Sequence, residues 1–328
     1  MERRKFIKTT ALASAALAGD AMISDGRASE TETSANSSNA ATLPRRPYGK
    51  SDVRLSVIGF GGIVIGGAEQ EHANRLVAES VERGVNYFDV APTYQDAEIK
   101  LGPALEPYRK NVFLACKTLE RTRKGAQAEL KRSLERLRTD HLDLYQLHAL
   151  TDVEKDVDAV FAKGGAMEVF TEAKKAGQIR FLGFSAHSEE AALAAMDRYD
   201  FDSTLFPLNF ACYLKKQFGP RVIEKAKSKN MALLALKAMA RQKWPKDDPR
   251  REKYGKCWYQ PLTERREAEL GLRFTLSLPI TAAIPPGDES LFRLALELAR
   301  EIKPINAKES KELKTLAATL DPIFPMMQ

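Results

Sequence analysis

Residues 87–94 read YFDVAPTY. An apolar run stops on a carboxylate, Asp89, and a phenol, Tyr94, follows across a turn that contains proline. Asp89 could cap the segment after it, as aspartate does at helix starts. The alternative is a buried strand that delivers charge to the mouth of a site. Repetition along the chain bears on the choice.

Short apolar runs alternate with amphipathic stretches. VIGFGG (57–62) precedes EHANRLVAESVERG, whose apolar positions have helical spacing. VNYFDV comes next, then NVFLACK ahead of the helical GAQAELKRSLERLRT. LDLYQLH follows, then AMEVFTEAKKAGQ as a helix that Gly177 stops. IRFLGFS, STLFPLN, MALLALK and TAAIPPG complete eight strand candidates. They are apolar on both faces, as parallel strands covered on each side are. Eight such units in one body predict a single-domain (β/α)8 TIM barrel. A doubly wound sheet is the runner-up, but GFGGIV offers Gly59-x-Gly61 and then Val64 where the dinucleotide fingerprint needs a third glycine.

The ends of these strands are polar. Asp89 closes the second, Lys117 the third and His148 the fourth, at steps of 28 and 31 residues. A repeat of about one β/α unit returns to the same rim of a barrel, the C-terminal one, where barrel active sites lie. Ser185, Asn209 and Lys237 close the fifth, sixth and seventh strands. Taken singly, Lys117 could be a strand-end charge reaching solvent and His148 a structural ring. Their placement on consecutive strands, with Tyr94 close behind, favours chemistry. A phenol is a poor acid at neutral pH unless something stabilises its anion. A neighbouring ammonium does this and is expected to lower the phenol's pKa, and a carboxylate balances the ammonium. Neutral imidazole can orient a carbonyl. Tyr94, Lys117, Asp89 and His148 supply these four parts, for proton transfer to a carbonyl oxygen.

Composition narrows the class further. Cys116, Cys212 and Cys257 show no zinc or disulfide spacing, and no metal site is expected. No uncharged apolar run is long enough to cross a bilayer. The N-terminus, RRKFIKTTALASAALAG, sets paired arginines before a short Ala-rich stretch, the layout of a twin-arginine export signal over residues 1–25. Residues 26–43, with ETETSANSSNAAT, read as a disordered polar linker, and 44–328 as the barrel. The chain is therefore expected to engage the twin-arginine export machinery and reach the periplasm or another exported location. Residues 1–43 hold five bases and five acids, so the net charge of +7 belongs to the body. That balance could favour an anionic ligand such as a dinucleotide, or simply be a solvated surface, the commoner case. No basic run interleaved with aromatics suggests nucleic acid.

At this point the residues resemble the aldo-keto reductase family. GFGG, YFDVAPTY, FLACKT, SLERLRTDHLDLYQLH, IRFLGFSAH and LFPLN fall in family order with family spacing, over roughly residues 45–300. The resemblance implies a (β/α)8 barrel that binds an extended nicotinamide dinucleotide, NADPH with NADH also possible, and transfers hydride to an aldehyde or ketone. It implies Tyr94 as acid, Lys117 and Asp89 as its support, and His148 orienting the carbonyl. A cofactor-holding sensor with little turnover is the alternative. For the cofactor it implies Gly62, Ser185, Asn209, Lys237, Gly287 and Arg293; His187 stands where asparagine is common. LLALKAMAR has Leu236 and Lys237 in place of the usual ring-stacking tyrosine segment, and Lys237 could meet the pyrophosphate as a point charge. A related lysine-containing variant occurs in a branch that often carries iron–sulfur ligands, but those cysteines are absent here. In IPPGDESLFRLALEL, Asp288 and Glu289 occupy the neighbourhood of the 2′-phosphate and Arg293 is the one obvious base, an arrangement that keeps NADH open. KWPKDDPRREKYGKCWYQPL (243–262) is a long insertion whose Trp244, Tyr254, Trp258 and Tyr259 could shape a pocket or pack on one another. His72 and His141 lack such a context and read as structural.

Overall fold

The computed structural model describes residues 42–325. The expected export signal (1–25) and nearly all of the expected linker (26–43) lie outside the described residues. Leu43, at the linker's end, is already buried.

Twelve strands are present among the described residues: β1 (Arg45–Pro47), β2 (Arg54–Ser56), β3 (Phe60–Gly61), β4 (Tyr87–Asp89), β5 (Phe113–Thr118), β6 (Leu142–Leu150), β7 (Ile179–Ala186), β8 (Ser203–Pro207), β9 (Ala232–Leu236), β10 (Ala240–Gln242), β11 (Gln260–Pro261) and β12 (Ala282–Ile284). Eight form one parallel sheet in the order β12-β9-β8-β7-β6-β5-β4-β3. The ring closes through a parallel bridge between Ile58 and Ala283, with Gly59 N donating to the Ala283 carbonyl at 2.9 Å. This is the (β/α)8 barrel, and its eight strands are the eight apolar runs.

Two apolar layers hold it. Alternate strand residues point inward, so the interior packs Tyr87, Phe113, Ala115, Leu144, Leu205, Leu234 and Ala282 with Tyr48 and Leu55. The opposite parity, including Phe88, Leu114, Tyr145, Phe184 and Phe206, meets the surrounding helices. Those helices follow their strands as the periodicity predicts: Gln70–Glu82 after β3, Arg123–Arg136 after β5 and Ala166–Lys175 before β7. Gly59 is a packing necessity: a Cβ there would stand 2.5 Å from Tyr87 Cδ1 and 2.6 Å from Ile284 Cδ1.

Two small antiparallel pairs carried no strand signal in the sequence. The β1–β2 hairpin lies across the end of the barrel opposite the polar strand ends, and Tyr48 from its turn packs on Phe113 and Phe181 at ring separations of 5.1 and 5.0 Å. The β10–β11 pair joins the two ends of the long insertion, so residues 243–259 project from a clasp.

Candidate active site

The polar strand ends meet at one rim. All but Asn209 line a cleft of about 330 Å³ together with Tyr94, Thr93, His187, Lys256, Trp258, Tyr259 and Gly287. Asp89, Lys117, His148, Ser185 and Lys237 all face it.

Its centre is a buried ion pair. Lys117 and Asp89 are 1% and 2% exposed, and the ammonium donates to Asp89 Oδ2 and, at 3.3 Å, to the Val90 carbonyl. Asp89 Oδ1 accepts from Gln146 Nε2 at 3.0 Å. Lys117 and Gln146 are register partners on β5 and β6, and Asp89 pairs with Ala115 on β5. Gln146 escaped the sequence reading, although the signal was there. In LDLYQLH, Leu144, Gln146 and His148 share one parity, so an amide was due inside the barrel beside the site.

Tyr94 stands over this pair, with Lys117 Nζ 5.1 Å from the ring centre. Burial raises the Tyr94 pKa; Lys117 pulls it down, Asp89 pushes it up, and the net is a rise. The expectation that the ammonium would lower this phenol below its ordinary value is corrected: desolvation outweighs the cation. Burial also pulls Lys117 down, but Asp89 and Tyr94 more than offset it, and the ammonium is held above its ordinary value.

His148 meets Tyr94 edge to face at 6.0 Å and 87°. The β6–β7 register slips between Leu147 and Leu150, and Ala149 within that slip has φ 55°. Such a bulge re-aims side chains next to it. Ser185 Oγ accepts from Ala149 N at 2.8 Å, and Arg121 donates to the His148 carbonyl at 2.8 Å, so both ends of the bulge are tied. His148 Nδ1 is buried without a partner, which makes Nε2 the nitrogen available to the cleft. Burial, then the charges of Lys117, His187, Lys237 and Arg121, brings His148 down to about 2. Burial, then Lys237, brings His187 to about 3.

The other expected site residues divide. Gly287 lines the cleft, and a Cβ there would stand 2.8 Å from Ile63 Cγ2. Gly62 does not line it; it opens a short 3-10 turn and faces Val90, and Gly61 takes the cleft position. Asn209 caps the helix Phe210–Lys216, its Oδ1 accepting from Cys212 N at 2.9 Å, and its buried Nδ2 has no partner. Arg293 lies outside the cleft, bonded to Glu79 and to Glu289 at 2.9 Å. His72 is a helix residue, but it is tied to the same cluster, 2.6 Å from Glu289 Oε2. His141 meets Asp140 at an exposed position. Beyond Gly287 and Lys256, which line both, the cleft continues into a second depression of about 470 Å³ with His72, Gln95, Lys253, Asp288 and Glu289. Trp244 and Tyr254 pack with Cys257 and Leu291, whereas Trp258 and Tyr259 form the cleft wall.

A family model described as the aldo/keto reductase family matches residues 57–317. Among curated relatives, the chain is 33% identical over 159 residues to the uncharacterized oxidoreductase YqkF of Bacillus subtilis, covering 44% of this chain and 49% of that one. It is 31% identical over 158 residues to the aldo-keto reductase YhdN of the same organism, covering 43% and 44%. The chain thus spans about half the length of the curated relatives it matches. Among solved structures, the holo form of aldo-keto reductase AKR11C1 from Bacillus halodurans superposes with a TM-score of 0.66 at 22% identity, covering 86% of this chain and 99% of that one, a likeness of fold.

The two cleft imidazoles generate a pH prediction. Their folded values, about 2 and about 3, lie below the 6.5 they have when unfolded. Below about pH 6.5 the unfolded chain therefore binds protons that the native state excludes, and stability falls as pH drops. The expected loss is at most about 1.4 kcal/mol per pH unit for each ring, less for the part of each ring that the cleft leaves in contact with water. Thermal melts across this range should show a shallower decline for the double variant His148→Gln, His187→Gln than for wild type. Equal slopes would assign the acid sensitivity to other groups.

Proposed function

The chain belongs to the aldo/keto reductase family, and we propose that it reduces an aldehyde or ketone to an alcohol, or runs the reverse reaction, with a nicotinamide dinucleotide. The observation that carries this reading is the Tyr94 phenol set beside the buried Lys117–Asp89 pair, with neutral His148 at its edge.

The residues present fit such a cofactor. A trough of two linked depressions suits an extended molecule, the flat wall at Gly287 has no room for a Cβ, and Asn209 Nδ2 is a buried donor without a partner. When bound, the reduced dinucleotide supplies hydride to the carbonyl carbon. Ser185 and Asn209 would hold the nicotinamide end, and Gly287 would meet the dinucleotide where the two depressions adjoin. Neutral His148 orients the carbonyl by donating to its oxygen. Tyr94, whose raised pKa keeps it protonated at neutral pH, donates its proton to that oxygen as negative charge develops. Lys117 then faces the new phenolate and stabilises it, while Asp89 and Gln146 hold the ammonium in place. In the opposite direction the phenolate takes the alcohol's proton.

Removing the acid should separate chemistry from binding. For Tyr94→Phe, turnover of aldehydes with NADH or NADPH should fall by about 10²–10⁴-fold, while dinucleotide binding, followed by fluorescence, persists. An unchanged rate would remove Tyr94 from the mechanism. Wild-type turnover too slow to measure with any carbonyl, despite tight dinucleotide binding, would favour the sensor alternative.

At the far end of the trough, Arg293 is engaged by Glu79 and Glu289, so the base expected to meet a 2′-phosphate is already neutralised. Glu289 and Asp288 place carboxylates there, which suit a ribose hydroxyl and repel a phosphate. NADH is therefore expected to bind at least as tightly as NADPH, and Glu289→Gln to move the ratio of dissociation constants toward NADPH. An NADPH constant about tenfold or more below that of NADH, some 1.4 kcal/mol, would mean that Lys253 or Lys256 receives the phosphate.

We also propose that the chain is exported by the twin-arginine route, on the strength of Arg3-Arg4 and the Ala-rich stretch after them. Fractionation should find the body outside the cytoplasm and a variant with both arginines changed to lysine inside it. The same distribution for both would end this reading.

A further inference from the structure

The cleft holds more positive charge than its own residues balance. Asp89 is the one carboxylate among the residues that line it, and Lys117 and Gln146 already occupy it. Two further ammonium groups, Lys237 and Lys256, line the same space. Lys256 donates to the Val64 carbonyl at 2.7 Å. Lys237 is different: among the described residues its side chain makes no hydrogen bond and no ion pair. Its neighbours are two aromatic faces of the insertion, with Nζ 5.5 Å from the centre of the Trp258 ring and 5.4 Å from that of Tyr259. Cation–π contact offsets part of the lost hydration but supplies no counter-charge. Its backbone φ is 64°, a conformation a non-glycine residue keeps only where its surroundings impose it.

The position of Lys237 tells which anion it would meet. It shares the catalytic half of the cleft with His148, His187 and Trp258, and its charge is felt at both imidazoles. The passage toward the second depression runs instead past Lys256 and Gly287. We infer that Lys237 receives a carboxylate carried by the carbonyl substrate, with Trp258 and Tyr259 covering the carbon between the two groups. The substrate class is then an oxo acid or aldehyde acid in place of a neutral aldehyde. The inference rests on the proposed carbonyl reduction at Tyr94. A dinucleotide's diphosphate offers the same anionic oxygen, and the experiment separates the two sources.

Matched pairs make the test: 4-carboxybenzaldehyde against methyl 4-formylbenzoate, and 5-oxopentanoate against pentanal. Each would be assayed for kcat/KM with wild type, Lys237→Gln and Lys237→Arg, with dinucleotide dissociation constants measured by fluorescence on the same proteins. In wild type the acid of each pair should be preferred by about tenfold or more, as a charge-assisted hydrogen bond gives. The preference should collapse in Lys237→Gln and largely survive in Lys237→Arg, with dinucleotide affinity little changed. It should also fade as pH rises through about 8, where burial places Lys237, facing Cys257, Lys117, His148 and His187. A wild-type ratio near one overturns the inference. So does a Lys237→Gln protein that loses dinucleotide affinity about tenfold and keeps the acid preference, because the diphosphate is then the anion. If no carbonyl turns over, calorimetric titration with benzoate and benzyl alcohol decides without chemistry. Benzoate binding that Lys237→Gln abolishes upholds the anion site although the redox reading has failed, and absence of benzoate binding to wild type ends it.

Discussion

The site depends on one electrostatic constraint, an ammonium and a carboxylate buried together at the ends of adjacent parallel strands. Lys117 and Asp89 are almost fully withdrawn from solvent. Desolvating either alone costs several kcal/mol, and breaking such a pair typically costs about 3–5 kcal/mol. The barrel meets that cost through register. β4 and β5 align so that both side chains reach the same rim, and β6 contributes Gln146 for the carboxylate oxygen that Lys117 leaves free. With Asp89 and the Val90 carbonyl taking two of the ammonium's donors, the third is available to the phenol oxygen of Tyr94. A feature that would be an expensive defect in an ordinary core here fixes a cation beside the Tyr94 phenol, the proton donor of the proposed reaction.

Burial explains the raised Tyr94 pKa: it outweighs the cation of Lys117, and the charge of Asp89 adds to the rise. Lys117 by itself pulls the phenol down. Desolvation and the charge of Asp89 act against that. A lone cation would stabilise phenolate in the resting enzyme and in the reacting one alike. In the proposed reaction burial keeps the resting phenol protonated and the pair holds a cation where the transient phenolate would appear, which is what differential stabilisation of a transition state requires.

Much of this was legible in the sequence because a barrel converts linear spacing into a ring. Asp89, Lys117, His148 and Ser185 stand about one β/α unit apart, Lys237 two units further on, and the five do meet at one mouth. What stayed hidden depended on features with no periodic signature. The hairpin β1–β2 is two three-residue strands, too short to declare a period, yet it sets Tyr48 inside the barrel. Gln146 lay in plain view but required strand parity to be followed as well as strand ends. Arg293 read as a free base because Glu79, far away in the chain, cannot be seen to face it without coordinates. Gly62 and Gly61 are interchangeable to a pattern, and only the turn after β3 decides which of them meets the cleft.

Charge across the cleft is divided as sharply as its polar and apolar surfaces. Around Tyr94 the lining is cationic once Lys117 and Asp89 cancel, and burial keeps both histidines from adding to it. In the second depression carboxylates return at Asp288 and Glu289, and Glu289 is tied to His72 and Arg293. Lys256 belongs to both regions, and with Lys253 it faces the two carboxylates of the second depression, so positive charge is compensated there as it is not around Tyr94. A ligand that fills the whole trough must match this alternation, with its negative groups toward the barrel centre and a neutral polar end outside. The insertion makes the gradient. It brings Trp258 and Tyr259 over Lys237 and, among the described residues, no acid that would neutralise it, so an uncompensated ammonium lines the same cleft as Tyr94. For the proposed anionic carbonyl compounds that placement would lower the free energy of the bound state, because the half-buried ammonium has lost part of its hydration before they arrive.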